Sequence, residues 1–200
     1  MLTDRTVLGL LDAFSSADPT PGGGSAAALV GATGASLLLM VAGMPKSRTN
    51  ADDERKALDE AQRQLGVHRS TLVDLIDRDA ASYDLVIAAF RRPKVTEGEQ
   101  AARKAAVQDA TRIATEVPLE TIRACVEAMR AGRATAAHGN PNAASDVKVG
   151  YRLLMAAAEG ARDNVEINLD GLSDASVKDR IRGEATELMT HATALVREVI

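Results

Sequence analysis

The sequence predicts an all-α fold, an antiparallel bundle of long helices. Two observations carry this. Apolar residues recur at helical spacing over most of the chain. No stretch shows the strict apolar/polar alternation of a half-buried strand. The helices are separated by short Pro, Gly and Asn punctuation, which suits antiparallel neighbours. With 200 residues, no linker and no internal repeat, the chain reads as a single helical domain over 1–200.

Each element has its own signal. Leu2 to Ser16 reads as a first amphipathic helix with Thr3 as N-cap and Val7, Leu8, Leu11 and Phe14 as its apolar face. Pro19-Thr20-Pro21-Gly22-Gly23-Gly24-Ser25 follows, a turn in which prolines restrict φ and glycines permit unusual angles. It delivers the chain to a helix N-terminus, whose free N–H groups suit an anion or a polar ring. It is neither a Walker loop nor GxGxxG after a strand. The small apolar run from Ala26 to Ala42 is read as a helix buried on all sides, with a transmembrane span as the alternative. Gly43-Met44-Pro45 ends it.

Asn50 or Asp52 then caps a helix reaching about Phe90. Leu58, Leu65, Leu72 and Val86 fall on one seven-residue line, a packing seam, and Asp79 interrupts it. An acid on an apolar seam breaks local consistency, and such breaks gather at functional or strained sites. A charged helix runs from about Thr96 to Val117. Pro118 is a kink or a new start, and Leu119 to His138 continues. Gly139 suits a C-cap, and Asn140-Pro141 suits the start of a helix through Ala143 to about Leu169. Ser173 or Asp174 caps the last helix.

Composition excludes several function classes. A net charge of -4 and 2% aromatics argue against nucleic-acid binding, which wants a basic face and stacking rings. The lone Cys125 has no disulfide partner, and the three histidines show no ligand spacing, so no metal site is expected. The N-terminus lacks a signal-peptide pattern. A cytoplasmic setting is expected, with no membrane partner.

Several motifs stand in one order: Pro19 to Ser25, Asp79 with Tyr83-Asp84, Pro93-Lys94, Val117-Pro118-Leu119, Gly139-Asn140-Pro141-Asn142-Ala143-Ala144-Ser145-Asp146, and Asn164-Val165-Glu166-Ile167-Asn168. Together they resemble the cyclodeaminase/methenyltetrahydrofolate cyclohydrolase family, the C-terminal half of formiminotransferase-cyclodeaminase, from about Leu2 to Leu172. The resemblance implies an all-helical homodimer and a folate site near the Gly-rich turn. It implies one-carbon chemistry on a tetrahydrofolate derivative as substrate, without a metal. Formiminotetrahydrofolate cyclodeaminase is the first reading and methenyltetrahydrofolate cyclohydrolase the second. A non-catalytic helical oligomerisation module is the reading of another class.

Both reactions pass through a tetrahedral carbon and need protons moved between nitrogen and oxygen. On the resemblance, Asp79 is the first candidate for proton transfer, its pKa raised by burial in the seam. The competing role is a structural acid, paired with an arginine or capping a neighbouring helix. Asp146 is the second catalytic candidate and Asn142, four residues before it, would share its helix face toward the pterin ring. Gly22, Gly23, Gly24 and Ser25 would contact the same ligand from the opposite wall. Asn140 and Asn164 are further binding candidates, with Asn168 either lining the pocket or bonding between helices. Lys46 and Lys94 match the carboxylates of a folate tail. Tyr83 is either a stacking partner for the aminobenzoyl ring or a core tyrosine.

Overall fold

A computed structural model describes residues 1–44 and 51–200. Among them are six α-helices and no strand: α1 (Val7–Phe14), α2 (Gly23–Ala42), α3 (Asp52–Phe90), α4 (Glu97–His138), α5 (Ala144–Leu169) and α6 (Ala175–Val199). Helices α2, α3, α4 and α5 form a square in which each packs on the next, and α6 lies outside against α4 and α5. The core is continuous from Leu2 to Leu195.

The pairing register is legible in single contacts. On the α2–α3 side, Arg69 Nε donates to Ser36 Oγ at 2.9 Å, and Ser25 Oγ donates to Asp79 Oδ2 at 2.9 Å. On the α2–α5 side, Gly23 faces Asn164, Ala27 faces Gly160 and Gly34 faces Gly150 and Leu154. Both sides are therefore antiparallel. A methyl group at Gly34 would lie 2.7 Å from the Gly150 carbonyl oxygen, so two glycines allow the α2 and α5 backbones to touch. Helix α2 is long and apolar enough to cross a membrane, with mean hydropathy 1.8 over its most apolar stretch, but 56% of that stretch is buried in the bundle. It is not buried on all sides: Thr33 and Met40 are exposed.

Several boundaries differ from the sequence reading. The first helix begins at Val7, capped by the Thr6 hydroxyl, which accepts from Gly9 N at 3.1 Å. Thr3 is not its cap. Leu2–Asp4 form a 3-10 turn held to α3, where Thr3 Oγ1 donates to Asp77 Oδ2 at 2.7 Å. Ala51, not Asp52, is the N-cap position of α3, and Asp52, Asp53 and Glu54 fill the first turn, where acids suit the helix dipole. Asn50 lies outside the described residues. The Asn140 side chain caps a 3-10 turn, Pro141–Ala143, before α5 begins, and Asp174 caps α6.

Pro118 neither breaks nor restarts its helix: α4 is one helix of 42 residues. A proline at that position removes the N–H that would bond the carbonyl four residues back, that of Ala114. Asn168 on α5 replaces it, its Nδ2 donating to the Ala114 carbonyl at 2.7 Å. Of its two expected roles, Asn168 therefore takes the inter-helix bond.

Candidate active site

The seven-residue line on α3 runs Leu58, Leu65 and Leu72 into the core and then presents Asp79 to the start of α2. Helix α2 has no side-chain cap of its own, because Gly22 stands at the N-cap. Asp79 supplies the missing acceptor from across the helix pair, bonded by both the hydroxyl and the backbone N–H of Ser25. Burial pushes the Asp79 carboxyl above its ordinary value, and the two Ser25 bonds pull it back only in part. Among the described residues no cation lies within ion-pair distance of Asp79, so none of them gives it the arginine-paired role. The capping role does, and the same geometry leaves a carboxylate of raised pKa beside the first-turn N–H groups of α2.

The glycines of this turn serve proximity rather than unusual angles. No glycine among the described residues has a positive φ, and the Thr20–Pro21 peptide is cis. A methyl group at Gly24 would lie 2.5 Å from Asp79 Cγ and 2.8 Å from Oδ2, with Oδ1 closer still. Only glycine lets the helix start lie against the carboxylate. At Gly23 a methyl would meet Asn164 Nδ2 at 3.3 Å, and at Gly22 nothing lies nearer than 3.8 Å. Asn164 Nδ2 itself donates to the Gly160 carbonyl at 2.8 Å, which holds the amide at the α2 N-terminus. Tyr83, one turn beyond Asp79, is 39% exposed, so it is not a core tyrosine.

The remaining candidates stand elsewhere. Asp146 lies 18 residues from Asn164 on the same helix, about 27 Å along its axis. Asn140, Asn142 and Asp146 therefore sit at the opposite end of α2, where Gly139 packs on Val41. Within one chain they do not share a pocket with Gly22 to Ser25, contrary to the expected opposing walls. Asn142 lies in the 3-10 turn rather than on α5, so the four-residue spacing to Asp146 does not put the two on one helix face. Lys94 is exposed in the α3–α4 connection, beyond the end of α3 and four residues past Phe90. Lys46 lies outside the described residues. Cys125 is fully buried and its thiol is pushed up to about 12, an inert core group.

Sequence reasoning missed a cavity of about 530 Å³ at the Asn140 end. Arg133, Thr135, Asn140, Lys148 and Glu198 line it, with Arg133 Nε 3.0 Å from Glu198 Oε2. The Thr135 hydroxyl beside it is buried without a hydrogen-bond partner. No local pattern announces this cavity, because α4, α5 and α6 build it together.

Residues 6–187 match the formiminotransferase-cyclodeaminase family. The chain belongs to this family. It is 35% identical over 195 residues to a methenyltetrahydrofolate cyclohydrolase of Methylorubrum extorquens, covering 98% of this chain and 94% of that one. It is 32% identical to the formimidoyltransferase-cyclodeaminase of Rattus norvegicus, where the match covers 96% of this chain but 35% of that longer protein. The crystal structure of formiminotetrahydrofolate cyclodeaminase from Thermotoga maritima superposes with a TM-score of 0.88 at 26% identity, covering 100% of this chain and 96% of that chain. Relatives named for both activities that the motifs suggested are thus similar to this chain.

Proposed function

We propose that this protein acts on the one-carbon bridge between N5 and N10 of tetrahydrofolate, as a homodimer in the cytoplasm, with Asp79 moving the proton. The observation that carries this reading is the Asp79–Ser25 pair: a carboxyl of raised pKa, with no cation among the described residues at ion-pair distance, under a helix start opened by glycine. A group that titrates closer to neutrality transfers protons more effectively at working pH.

Hydrolysis of 5,10-methenyltetrahydrofolate is the reading favoured by the Methylorubrum relative, which this chain matches over nearly its whole length. In that reaction Asp79 accepts a proton as water adds to the cationic bridge carbon. It returns that proton to the departing ring nitrogen as the C–N bond breaks. The hydroxyl proton leaves to solvent, and formyltetrahydrofolate is released. The carboxylate also offsets the positive charge of the bridge before attack. In this reading the first-turn N–H groups of Gly23 and Gly24 are the donors that meet the developing oxyanion. Exposed Tyr83, one turn along α3, offers a ring for the aminobenzoyl group.

Cyclodeamination is the second reading, favoured by the Thermotoga structure. There N10 attacks the carbon of the protonated formimino group, Asp79 takes the N10 proton and returns it to the departing nitrogen, and ammonia leaves as the methenyl cation forms. Purified protein given each substrate separates the two: loss of methenyl absorbance marks the hydrolase, and ammonia release from 5-formiminotetrahydrofolate marks the deaminase. Asp79→Asn is expected to lower kcat by about 10²–10⁴, the range for a general acid–base group. Near-normal turnover by the folded variant would remove Asp79 from the role. A chain that binds no reduced folate would favour the non-catalytic module.

A further inference from the structure

The cavity at the C-terminal ends of α4 and α6 has no part in the chemistry assigned to Asp79. At about 530 Å³ it is of the size that holds a small molecule. It also lies on another side of the bundle. On α5, Lys148 stands 18 residues before Glu166, about five helical turns, so the two share one line along the helix. Glu166 accepts from Arg182 of α6 at 3.3 Å, so this flank of α5 meets α6. The flank that meets α2 carries Gly150, Ala157, Gly160 and Asn164 instead. Along the axis of α5, Lys148 is about 24 Å from Asn164 and the start of α2.

The polar groups of the cavity are unevenly supplied with partners. Its acid, Glu198, is committed to Arg133, whose Nε lies 3.0 Å from Glu198 Oε2. The two terminal amino groups of Arg133 have no further partner among the described residues, and Lys148 makes no ion pair there. Thr135 is 1% exposed, and its hydroxyl has no hydrogen-bond partner. Buried hydroxyls are seldom left unbonded. A threonine inside a helix can donate to the carbonyl four residues back. Thr115 and Thr121 of the same helix do so, at 2.7 and 3.4 Å. Thr135 forgoes that bond in the cavity wall. Three donors thus lack acceptors in one cavity: a guanidinium fork, an ammonium group and a buried hydroxyl. Ala137, Pro141, Val147 and Val199 give the same cavity an apolar wall.

We infer that this cavity is a second binding site of the chain, for a small organic anion, a carboxylate or a phosphate ester. Arg133, Lys148 and Thr135 donate to the oxygens of the anionic group, and the apolar wall receives the body of the molecule. The planar fork of an arginine matches two oxygens of one such group. A cationic ligand is a poor occupant, because the acid of the wall is already paired. The inference goes beyond the proposed function and does not depend on Asp79.

Calorimetric titration of the whole protein with benzoate and with phenyl phosphate tests it, with inorganic phosphate as the probe of charge alone. One of the two organic anions is expected to bind with Kd below about 1 mM, at least about tenfold more tightly than inorganic phosphate. The tighter of the two tells a carboxylate site from a phosphate-ester site. Lys148→Gln and Arg133→Gln should each weaken that binding by about tenfold, and Asp79→Asn should leave it unchanged. The inference is overturned if neither organic anion binds, if neither binds better than inorganic phosphate, or if binding is indifferent to either cation. Loss of binding in Asp79→Asn would put the anion at the other site and overturn it as well.

Thr135→Val gives a readout that needs no ligand. Removal of a buried hydroxyl that has no partner should raise Tm by about 2–4 °C, and should weaken binding of the anion by about fivefold. A hydroxyl with a purely structural role would show the opposite sign, because its bond would be lost. A lowered Tm, or an affinity that does not change, refutes the part given to Thr135 and with it the built site.

Discussion

Gly24→Ala should damage the site more than any neighbouring glycine substitution, for a reason that can be put in ångströms. The added methyl would lie 2.5 Å from Asp79 Cγ, whereas ordinary contact begins near 3.4 Å. Helix start and carboxylate must therefore separate by at least about 1 Å. Asp79 is not the far end of a flexible chain: its short side chain leaves the face of α3 that packs on α2 and is held by Ser25. A separation of that size stretches the 2.9 Å Ser25–Asp79 bond out of hydrogen-bond range. Overpacking of this kind costs about 1–3 kcal/mol. Misplacing a catalytic group by about 1 Å can cost about 10²-fold in rate. The expected result is a Gly24→Ala protein destabilised by about 1–3 kcal/mol in urea, still folded, with kcat about 100-fold lower. Gly22→Ala is the control, since its methyl would find nothing nearer than 3.8 Å and its φ of -114° suits any residue. Steady-state kinetics and urea titration of both proteins decide the matter. If Gly24→Ala turns over within threefold of wild type, or Gly22→Ala fails equally, close approach to Asp79 is not why this turn is built of glycine.

Ser25→Ala removes a bond that favours the ionised Asp79, so the acid limb of kcat/KM should move to higher pH; an unmoved limb would mean that another group sets it. The stability profile should carry the same signature. Asp79 is raised in the folded state, so its protonated form favours folding, and that contribution is full below the ordinary carboxyl value and lost as pH rises through the raised one. Asp79→Asn, which cannot ionise, should therefore gain stability relative to wild type as pH rises above the ordinary carboxyl value in urea titrations, and a difference that is flat or of opposite slope would refute the burial argument. Asn168→Leu should cost about 1–3 kcal/mol by orphaning the Ala114 carbonyl, and much less in a Pro118→Ala background, where residue 118 again has an N–H to offer. Equal costs in both backgrounds would break the link between Asn168 and Pro118.

The sequence by itself determined what depends on local pattern. The periodicity of Leu58, Leu65 and Leu72 sets one face of α3, so the insertion of Asp79 into that line could be seen without coordinates. The cap at Asp174 and the helix start after Pro21 are likewise properties of a few adjacent residues. The tertiary structure decided whatever depends on register between helices. Pro118 alone looks like a break; only the approach of Asn168 from α5 explains why α4 continues. Gly24 alone looks like a residue chosen for turn angles; only Asp79 beside it shows that room is what matters. Asn142 and Asp146 look like the far wall of the Ser25 site, but helices rise about 1.5 Å per residue, and the length of α5 carries them to the other end of the bundle. A motif records which residues serve a function, and the rigid length of a helix decides which of them can meet.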